Sequence, residues 1–278
     1  MQRYTHKRLA ATEPQSSDAP DEGSVVGDWR AFRASLVAKE TTAEGAEPWA
    51  SRLSQENLEL FQSQDPALAK EAFWVHATEV PEQGGLVLAQ PRCAAILDPR
   101  YHQLVIFLAK HDREGSVGFI LNRPAPVAVG GLMGWGFSSA EGLGGAGKLQ
   151  GVFAGAPVYH GGFYPPNRIA RQSVSVLHGQ GHLTGCSEVA LGIFTGGEEE
   201  GAREVLEGKL AAAVHFRFFL GAMRWGPGAL DQEIDQGAWY TAACSRSVVL
   251  RQCIQLPTPL WRECLTLIGG RHAHEARG

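Results

Sequence analysis

Three features are scarce in this sequence: long apolar runs, paired cysteines and an excess of basic residues. The longest apolar segments, QLVIFLA and AAAVHFRFFLGAM, fall short of the ~20 residues that a membrane-spanning helix needs, so we expect no transmembrane span. The five cysteines form no C-x-x-C pair, which is typical of structural thiols in a reducing compartment. The formal net charge of −4 disfavours direct nucleic-acid binding, because phosphate contacts require clustered Lys and Arg.

Glycine, in contrast, is abundant. The chain of 278 residues contains 34 glycines, which indicates many turns rather than a helical bundle. Hydrophobic residues make up 44% of the chain, enough for a buried core. Residues 1–27 are rich in Ser, Pro, Asp and Glu and predict a disordered leader. Its first residues, MQRYTHKRLAA, fit either the end of an organellar transit peptide or a plain basic tail.

Hydrophobic periodicity divides the rest of the chain into two parts. Over 28–80, DWRAFRASLVAKE and SRLSQENLELFQ predict a helical N-terminal extension. Over 81–270, strands and helices mix without regular βαβ alternation, which predicts a single α+β domain with a bent mixed sheet, and 271–278 is predicted as a tail. Strands are predicted at GLVLAQP, YHQLVIFLAKHD, SVGFILNRP, GVFAGAPV, SVSVLHG, VHFRFFLG and SVVLRQCI, and helices at GAREVLEGKLAAA, PGALDQEIDQG and PTPLWRECLTLIGG.

Two motifs match known ligand sites but lack the required context. EGLGGAGKLQ contains G-x-G-x-x-G and G-x-x-x-x-G-K, yet no strand precedes it and no helix follows it, so we expect residues 141–148 to bind no nucleotide. His178, His182 and Cys186 have the spacing of helical zinc ligands, but the glycines between them argue against a helix. We therefore expect neither a cofactor nor a metal site.

Polar side chains end the two strands YHQLVIFLAKHD and SVGFILNRP. His111 and Asp112 end the first strand, and Asn122 and Arg123 end the second. Because a tight turn joins the strands, we expect these four candidate ligand-binding residues to be neighbours, with Asp112 and Asn122 bonded to open backbone groups. Arg123 is either an anion ligand or half of a structural ion pair with Glu233. No nucleophile motif marks a catalytic residue.

Aromatic side chains supply candidates for contact with another protein. In RWGPGALDQEIDQGAW, Trp225 precedes a rigid Gly-Pro-Gly turn and Trp239 follows a predicted helix. We interpret both tryptophans as core or interface anchors. Trp29 and Phe32 lie on the apolar face of the first predicted helix. We treat these four residues as interaction candidates.

Several strings together resemble the AlgH/YqgE family over about residues 28–270: GGLVLAQP, FLAKHDREGSVGFILNRP, FAGAPV, VLHG, FLGAMRWGPGALDQEIDQGAW and PLWRECLTLIGG. DWRAFRASLVAKE and FWVHATEVPE resemble the leader of the plant and algal chloroplast members. The resemblance implies that 81–270 form one α+β domain with a bent, barrel-like mixed sheet flanked by helices, with no accepted reaction and no cofactor. The matching signature residues, which have no established catalytic role, are His111, Asp112, Asn122, Arg123, Pro124, Trp225, Gly228 and Glu233.

The combined expectation is a non-enzymatic protein of the chloroplast stroma that binds another protein, as a regulatory or assembly subunit. The helical extension, the tryptophans and the lack of a catalytic constellation support the binding role, and the location rests on the resemblance. The alternative is an enzyme or small-anion sensor that uses His111, Asp112, Asn122 and Arg123. A cleft lined by those four side chains would favour the alternative.

Overall fold

The computed structural model describes residues 29–43, 53–135, 151–163 and 173–277. The predicted leader over 1–27 and the Gly-rich segment 141–148 lie outside the described residues. The described chain forms a single α+β domain, as predicted, but it has two six-stranded sheets instead of one bent, barrel-like sheet. Within these residues, no helix has the length and apolar content needed to cross a membrane.

The strands form one antiparallel sheet and one mixed sheet. The first sheet has the order β1-β12-β2-β3-β4-β11, and the second has the order β5-β6-β10-β7-β9-β8 with β6 and β10 parallel. The strands are β1 (Val75–Ala77), β2 (Leu86–Ala89), β3 (Val105–Asp112), β4 (Gly115–Ile120), β5 (Pro124–Ala128), β6 (Pro157–His160), β7 (Val174–His178), β8 (Cys186–Ala190), β9 (Ile193–Gly196), β10 (Phe216–Leu220), β11 (Met223–Trp225) and β12 (Trp239–Cys244).

The helices begin and end at residues that suit helix termini. Ser54 caps the helix Gln55–Gln64 by accepting a hydrogen bond from the Asn57 amide, and Gly269, with φ of 83°, follows the end of the helix Leu260–Ile268. The described helices are α1 (Trp29–Ala43), α2 (Gln55–Gln64), α3 (Cys93–Ile96), α4 (Glu198–Leu206), α5 (Ala212–His215), α6 (Ala229–Asp235), α7 (Arg246–Leu250), α8 (Leu260–Ile268) and α9 (Gly270–Glu275).

Alternate residues of the strands fill separate parts of the core. On β2, Leu86 and Leu88 join a large cluster that also contains Phe219 from the second sheet and Leu265 from α8. Val87, between them, faces a separate cluster on the other side of the first sheet. The strand period of two thus explains why these sequences are continuously apolar: both faces of the strand are buried.

One arginine is fully buried within the second sheet. Arg217, on β10, donates a hydrogen bond to the Leu121 carbonyl at 2.8 Å and another to the Val249 carbonyl. Its guanidinium lies 4.4 Å from the centroid of the Tyr159 ring. Within the described residues it has no carboxylate partner, so the backbone carbonyls and the ring stabilise its charge.

A buried polar group joins the N-terminal extension to the core. On α8, Glu263 forms an ion pair with Arg251, and both side chains are almost completely buried. Asn57 of α2 donates a hydrogen bond to Glu263 Oε1 at 3.0 Å and another to the Thr258 carbonyl at 2.8 Å. The Thr258 amide returns a hydrogen bond to Asn57 Oδ1. Helix α2 is therefore joined to the core through three hydrogen bonds of the buried Asn57 side chain.

The structure corrects several boundaries. SVVLRQCI, predicted as a strand, contains helix α7, and within GVFAGAPV only the last two residues, Pro157 and Val158, belong to a strand. Residues 271–278 were predicted as a tail, but α9 occupies most of them and buries His272. Strand β1, from the predicted extension, pairs with β12 and completes the edge of the first sheet.

Removal of Glu263 tests the buried ion pair. Glu263→Leu leaves the Arg251 charge buried without its partner, so we expect a loss of about 3–5 kcal/mol in the free energy of unfolding, measured by urea denaturation. The double variant Arg251→Met/Glu263→Leu should recover most of the loss. Glu207→Leu, at an exposed ion pair, is the control and should unfold at the wild-type midpoint. A wild-type midpoint for Glu263→Leu would contradict the assigned role.

Candidate functional site

The four predicted ligand-binding residues lie at opposite ends of one hairpin. The register pairs His111 with Ser116 and Asp112 with Gly115, next to the turn. Asn122 lies at the other end, where its Oδ1 accepts a hydrogen bond from the amide of Val105. The six residue steps from position 105 to position 111 span ~20 Å along β3. The predicted neighbourhood is therefore wrong, because the turn joins the strands at the end away from Asn122 and Arg123.

The residues near the turn bond to one another and to the turn. His111 Nδ1 lies 2.8 Å from Ser116 Oγ. Asp112 accepts a hydrogen bond from the Glu114 amide at 2.8 Å, as predicted, and forms an exposed ion pair with Lys110 at 3.0 Å. The hydrogen bond from Lys110 lowers the pKa of the Asp112 carboxyl. In the described residues, Asp112 does not bond to the imidazole, so it does not orient His111 for catalysis.

The residues at the far end of the hairpin satisfy the backbone. Besides its contact with Val105, Asn122 donates a hydrogen bond to the Gln103 carbonyl at 2.8 Å, which confirms the predicted bonding to open backbone groups. Arg123 donates hydrogen bonds to the Asn122 and His102 carbonyls, and burial lowers its pKa. The predicted ion pair between Arg123 and Glu233 is wrong, because Glu233 has other partners.

Glu233 binds two tryptophans. Its Oε2 accepts a hydrogen bond from the indole Nε1 of Trp225 at 2.9 Å and another from that of Trp239 at 2.7 Å. The rings are nearly perpendicular, with centroids 6.4 Å apart. Burial, with the nearby Glu233 charge as a second cause, raises the pKa of the Cys93 thiol to about 12. In the W-G-P-G-x-L-x-x-E string, the final Glu233 therefore bonds back to the first residue, Trp225, across the turn and the helix. The string is a structural motif.

The interaction candidates divide into two buried and two exposed residues. Trp225 and Trp239 are buried in the core, so they are not available as surface anchors. Trp29 and Phe32 are exposed, by 50% and 65%. Phe32 follows Trp29 by three residues, and Leu36, exposed by 42%, follows Phe32 by four, so the three side chains form an apolar stripe on one face of α1.

The opposite face of α1 is attached to the body of the protein. Ala34 is completely buried and packs in a cluster with Trp74 and Ala243. Arg33 forms an ion pair with Glu82 at 2.7 Å, and Arg30 Nε lies 3.6 Å from the same carboxylate. The docked face fixes the helix in one orientation. The Arg33 guanidinium also lies 4.6 Å from the centroid of the Trp29 ring, so Trp29 borders the docked face, whereas Phe32 and Leu36 are exposed beyond it.

The suspected zinc ligands have other partners. His178 is buried, its Nε2 lies 2.8 Å from the Gly196 carbonyl, and its Nδ1 accepts a hydrogen bond from the Gln180 amide. His182 Nε2 lies 2.9 Å from Glu204 Oε2. Among the described residues, no group of three or more His, Cys, Asp or Glu side chains is arranged to hold a metal ion.

Burial keeps several thiols of the described chain protonated. It raises the pKa of Cys244 to about 12, and that of Cys264 is also raised. Burial likewise lowers the pKa of His178 and His160, which favours their neutral forms. These groups behave as core residues rather than as activated nucleophiles.

A cleft that the sequence did not indicate lies where the N-terminal extension meets the rest of the domain. Its volume is about 460 Å³, and Arg30, Trp74, Leu191 and Ile193 are among its lining residues. At one end, Arg246 forms a two-point ion pair with Glu71, and a smaller cavity of about 110 Å³ is lined by the same pair. No local pattern could reveal the cleft, because its walls come from distant segments that meet only through the pairing of β1 with β12 and the docking of α1.

Substitution of Glu233 tests the tryptophan motif. In Glu233→Leu, two buried indole N–H groups lose their acceptor, so we expect a loss of at least about 2 kcal/mol in the free energy of unfolding and a changed tryptophan emission spectrum. Asp231→Leu, an exposed acid on the same helix, is the control and should leave both unchanged. Equal stability of the two variants would show that Glu233 does not anchor the indoles.

Comparison with known proteins supplies the family. A family model described as AlgH-like matches residues 86–273. A UPF0301 protein of Chlorobaculum tepidum is 31% identical over 199 residues, which cover 71% of this chain and 92% of that protein. A UPF0301 protein of Streptomyces avermitilis is 32% identical over 189 residues, which cover 66% and 84%.

A structural comparison supports the same fold. A crystal structure of a Corynebacterium diphtheriae protein matches with a TM-score of 0.50 at 20% sequence identity, and the match covers 71% of this chain and 93% of that one. All three of these relatives are bacterial. From the extent of the family-model match, we conclude that this chain belongs to the AlgH-like family.

Proposed function

We propose that this chain is a non-enzymatic protein that binds another protein, as a regulatory or assembly subunit. The observation that carries the proposal is the stripe of Trp29, Phe32 and Leu36 on a helix whose opposite face is docked. Large apolar side chains on a surface gain free energy when a partner removes them from water. Since α1 is already held by Glu82 and Trp74, a partner need not order it, which reduces the entropic cost of binding.

The chemistry of the described residues supports the non-enzymatic part of the proposal. Two cysteine thiols have pKa values raised to about 12, and the contact between His111 and Ser116 has no carboxylate that orients it. The alternative, an enzyme or small-anion sensor built on His111, Asp112, Asn122 and Arg123, requires those side chains in one cleft. The hairpin register keeps them apart, so we favour the binding role.

We also propose that the protein is a chloroplast-type member of its family and acts in the plastid stroma. The support is the resemblance of DWRAFRASLVAKE and FWVHATEVPE to the leader of chloroplast members. Both strings contribute to the attachment of α1, because the first supplies Ala34 and the second supplies Trp74.

Phe32→Asp tests the binding role. After a partner is identified by crosslinking and purified, we expect the variant to bind it at least ~10-fold more weakly by calorimetry, because a charge replaces a large apolar contact. Leu206→Asp is the control: this leucine is also exposed, but it lies on α4. Both variants should unfold at the wild-type midpoint. Equal affinity of Phe32→Asp and wild type would refute a role for the stripe.

Fractionation of the native cells tests the location. An antibody against this chain should detect it with stromal markers in isolated plastids, protected from added protease until the envelope is lysed. Detection with cytosolic markers, or protease sensitivity in intact plastids, would contradict the plastid assignment.

A further inference from the structure

We propose that the docking of α1 depends on pH, and that protonation of the buried imidazole of His76 weakens it. His76 lies on β1 and is 3% exposed. Its ring contacts Arg33 of α1 and stacks on Trp74, the residue against which Ala34 of the same helix packs. The docking itself does not depend on the proposed partner, but it fixes the helix that carries the apolar stripe.

The two ring nitrogens of His76 have partners that suit only the neutral imidazole. Nδ1 lies 3.0 Å from the carbonyl oxygen of Ala77, which can only accept, so Nδ1 carries the proton. Nε2 lies 3.4 Å from Arg33 Nε and accepts a hydrogen bond from it, because a guanidinium can only donate. In the imidazolium, Nε2 carries a hydrogen that points at the Arg33 N–H group. Protonation therefore replaces this hydrogen bond by a contact between two donors of like charge.

Arg33 connects the imidazole to the other charged groups at this contact. Its guanidinium pairs with Glu82 at 2.7 Å, and Arg30 Nε lies 3.6 Å from the same carboxylate. One carboxylate thus serves two guanidiniums, and an imidazolium would add a third positive charge. Burial is the main cause that lowers the pKa of His76, and repulsion from Arg33 acts in the same direction, against the Ala77 carbonyl and Glu82.

The other neighbours of His76 on its own face of the sheet are uncharged. The imidazole and the Trp74 ring are nearly parallel, with an interplanar angle of 16° and centroids 5.6 Å apart. On β12, the residue paired with His76 is Ala243, which packs with Trp74 and Ala34. These neighbours exclude water from the imidazole but offer a positive charge nothing in return.

Helix α8 and its titratable groups lie against the opposite face of β1. Val75, which alternates with His76 along the strand, belongs to the main core cluster together with residues of α8. Glu263 is held there in the buried ion pair, and burial raises the pKa of the Cys244 and Cys264 thiols. The charges that act on the imidazole therefore come from α1 and from Glu82.

The direction of the pH effect follows from the lowered pKa. When α1 is undocked, water reaches His76, and the imidazole titrates near its ordinary value of about 6.5. The undocked state then binds more protons than the docked state, so acidification favours undocking. Docking is strongest above about pH 7.5 and weakens as the pH falls through about 6.5. At about pH 5.5 the loss is at most ~10-fold, the limit for an imidazole that takes up no proton while docked.

The protonation state of His76 also affects the exposed stripe. The guanidinium of Arg33 lies 4.6 Å from the centroid of the Trp29 ring, so a displacement of Arg33 removes a contact of that ring. Helix α1 has 15 residues, and isolated helices of this length are marginally stable in water. Undocking therefore also unfolds the helix and disperses the stripe.

Hydrogen exchange of the α1 amides at pH 7.5 and pH 5.5 tests the proposal. After correction for the intrinsic exchange rates, protection in wild type should fall ~3- to ~10-fold at the lower pH. In His76→Gln, an amide oxygen can accept from Arg33 but does not titrate, so protection should be equal at both pH values. His272→Gln, at another buried histidine whose pKa burial lowers, is the control and should keep the wild-type dependence. Equal protection of wild-type α1 at both pH values, or an undiminished dependence in His76→Gln, would overturn the proposal.

The pKa of His76, measured by NMR titration of its ring protons, provides a second test that does not require His76→Gln to fold. If protonation favours undocking, undocking must raise the pKa of His76 by the same coupling. Ala34→Trp forces α1 away from Trp74 without adding charge, so in this variant the pKa of His76 should rise towards its ordinary value. The same pKa of His76 in Ala34→Trp and in wild type would show that the two events are not coupled.

Partner binding separates the pH-sensitive docking from the proposed function. A partner that covers the stripe should bind wild type at least ~3-fold more weakly at pH 5.5 than at pH 7.5, relative to its binding to His76→Gln. If α1 protection changes through His76 but Phe32→Asp does not weaken binding, the pH-sensitive docking stands and the binding role fails. If Phe32→Asp weakens binding but α1 protection does not respond to pH through His76, the binding role stands and the pH-sensitive docking is refuted.

Discussion

The carboxylate of Glu263 is the group on which the attachment of the N-terminal extension depends. It is buried in α8, and removal of a charged carboxylate from water costs several kcal/mol unless a cation and donors replace the water. Arg251 supplies the cation and Asn57 supplies a donor from α2. Helix α2 thus cannot leave without exposing or stranding a buried ion pair. Once α2 is fixed, the chain after it reaches Trp74, on which α1 packs.

Charged groups that are buried or half-buried are stabilised in three different ways in this fold. Glu263 has a cation, whereas Arg217 has backbone carbonyls and an aromatic ring. Glu233 has two indole N–H groups. In each case, protein groups rather than water supply the hydrogen bonds or the opposite charge that stabilise the charged side chain. Each set of contacts also joins segments that are far apart in the chain or separated by a turn. The charged residues that a simple ion-pair rule would match, Arg123 and Glu233, instead bond to neutral groups.

The sequence predicted the elements that have a clear period and clear termini. The last eight residues of YHQLVIFLAKHD form β3, and PTPLWRECLTLIGG contains α8, because a continuous apolar run or capped helical spacing identifies each. SVVLRQCI was wrong because Val248, Val249 and Leu250 are buried in a helix of one turn, and a short apolar run does not distinguish a helix from a strand. The cleft was beyond sequence reasoning, because no pattern couples Trp74, Leu191 and Arg246 before the fold is known.

The range of the family-model match divides the lining of the cleft into two parts. The AlgH-like family model covers residues 86–273, which contain Leu191 and Arg246 but not Arg30, Glu71 or Trp74. One wall of the cleft therefore belongs to the family fold, and the other belongs to the extension that Glu263 and Glu82 hold in place. The cleft therefore requires both the segment that the family model matches and the segment that precedes it. The ion pair between Glu71 and Arg246 also joins these two parts, and both of its side chains line the cleft.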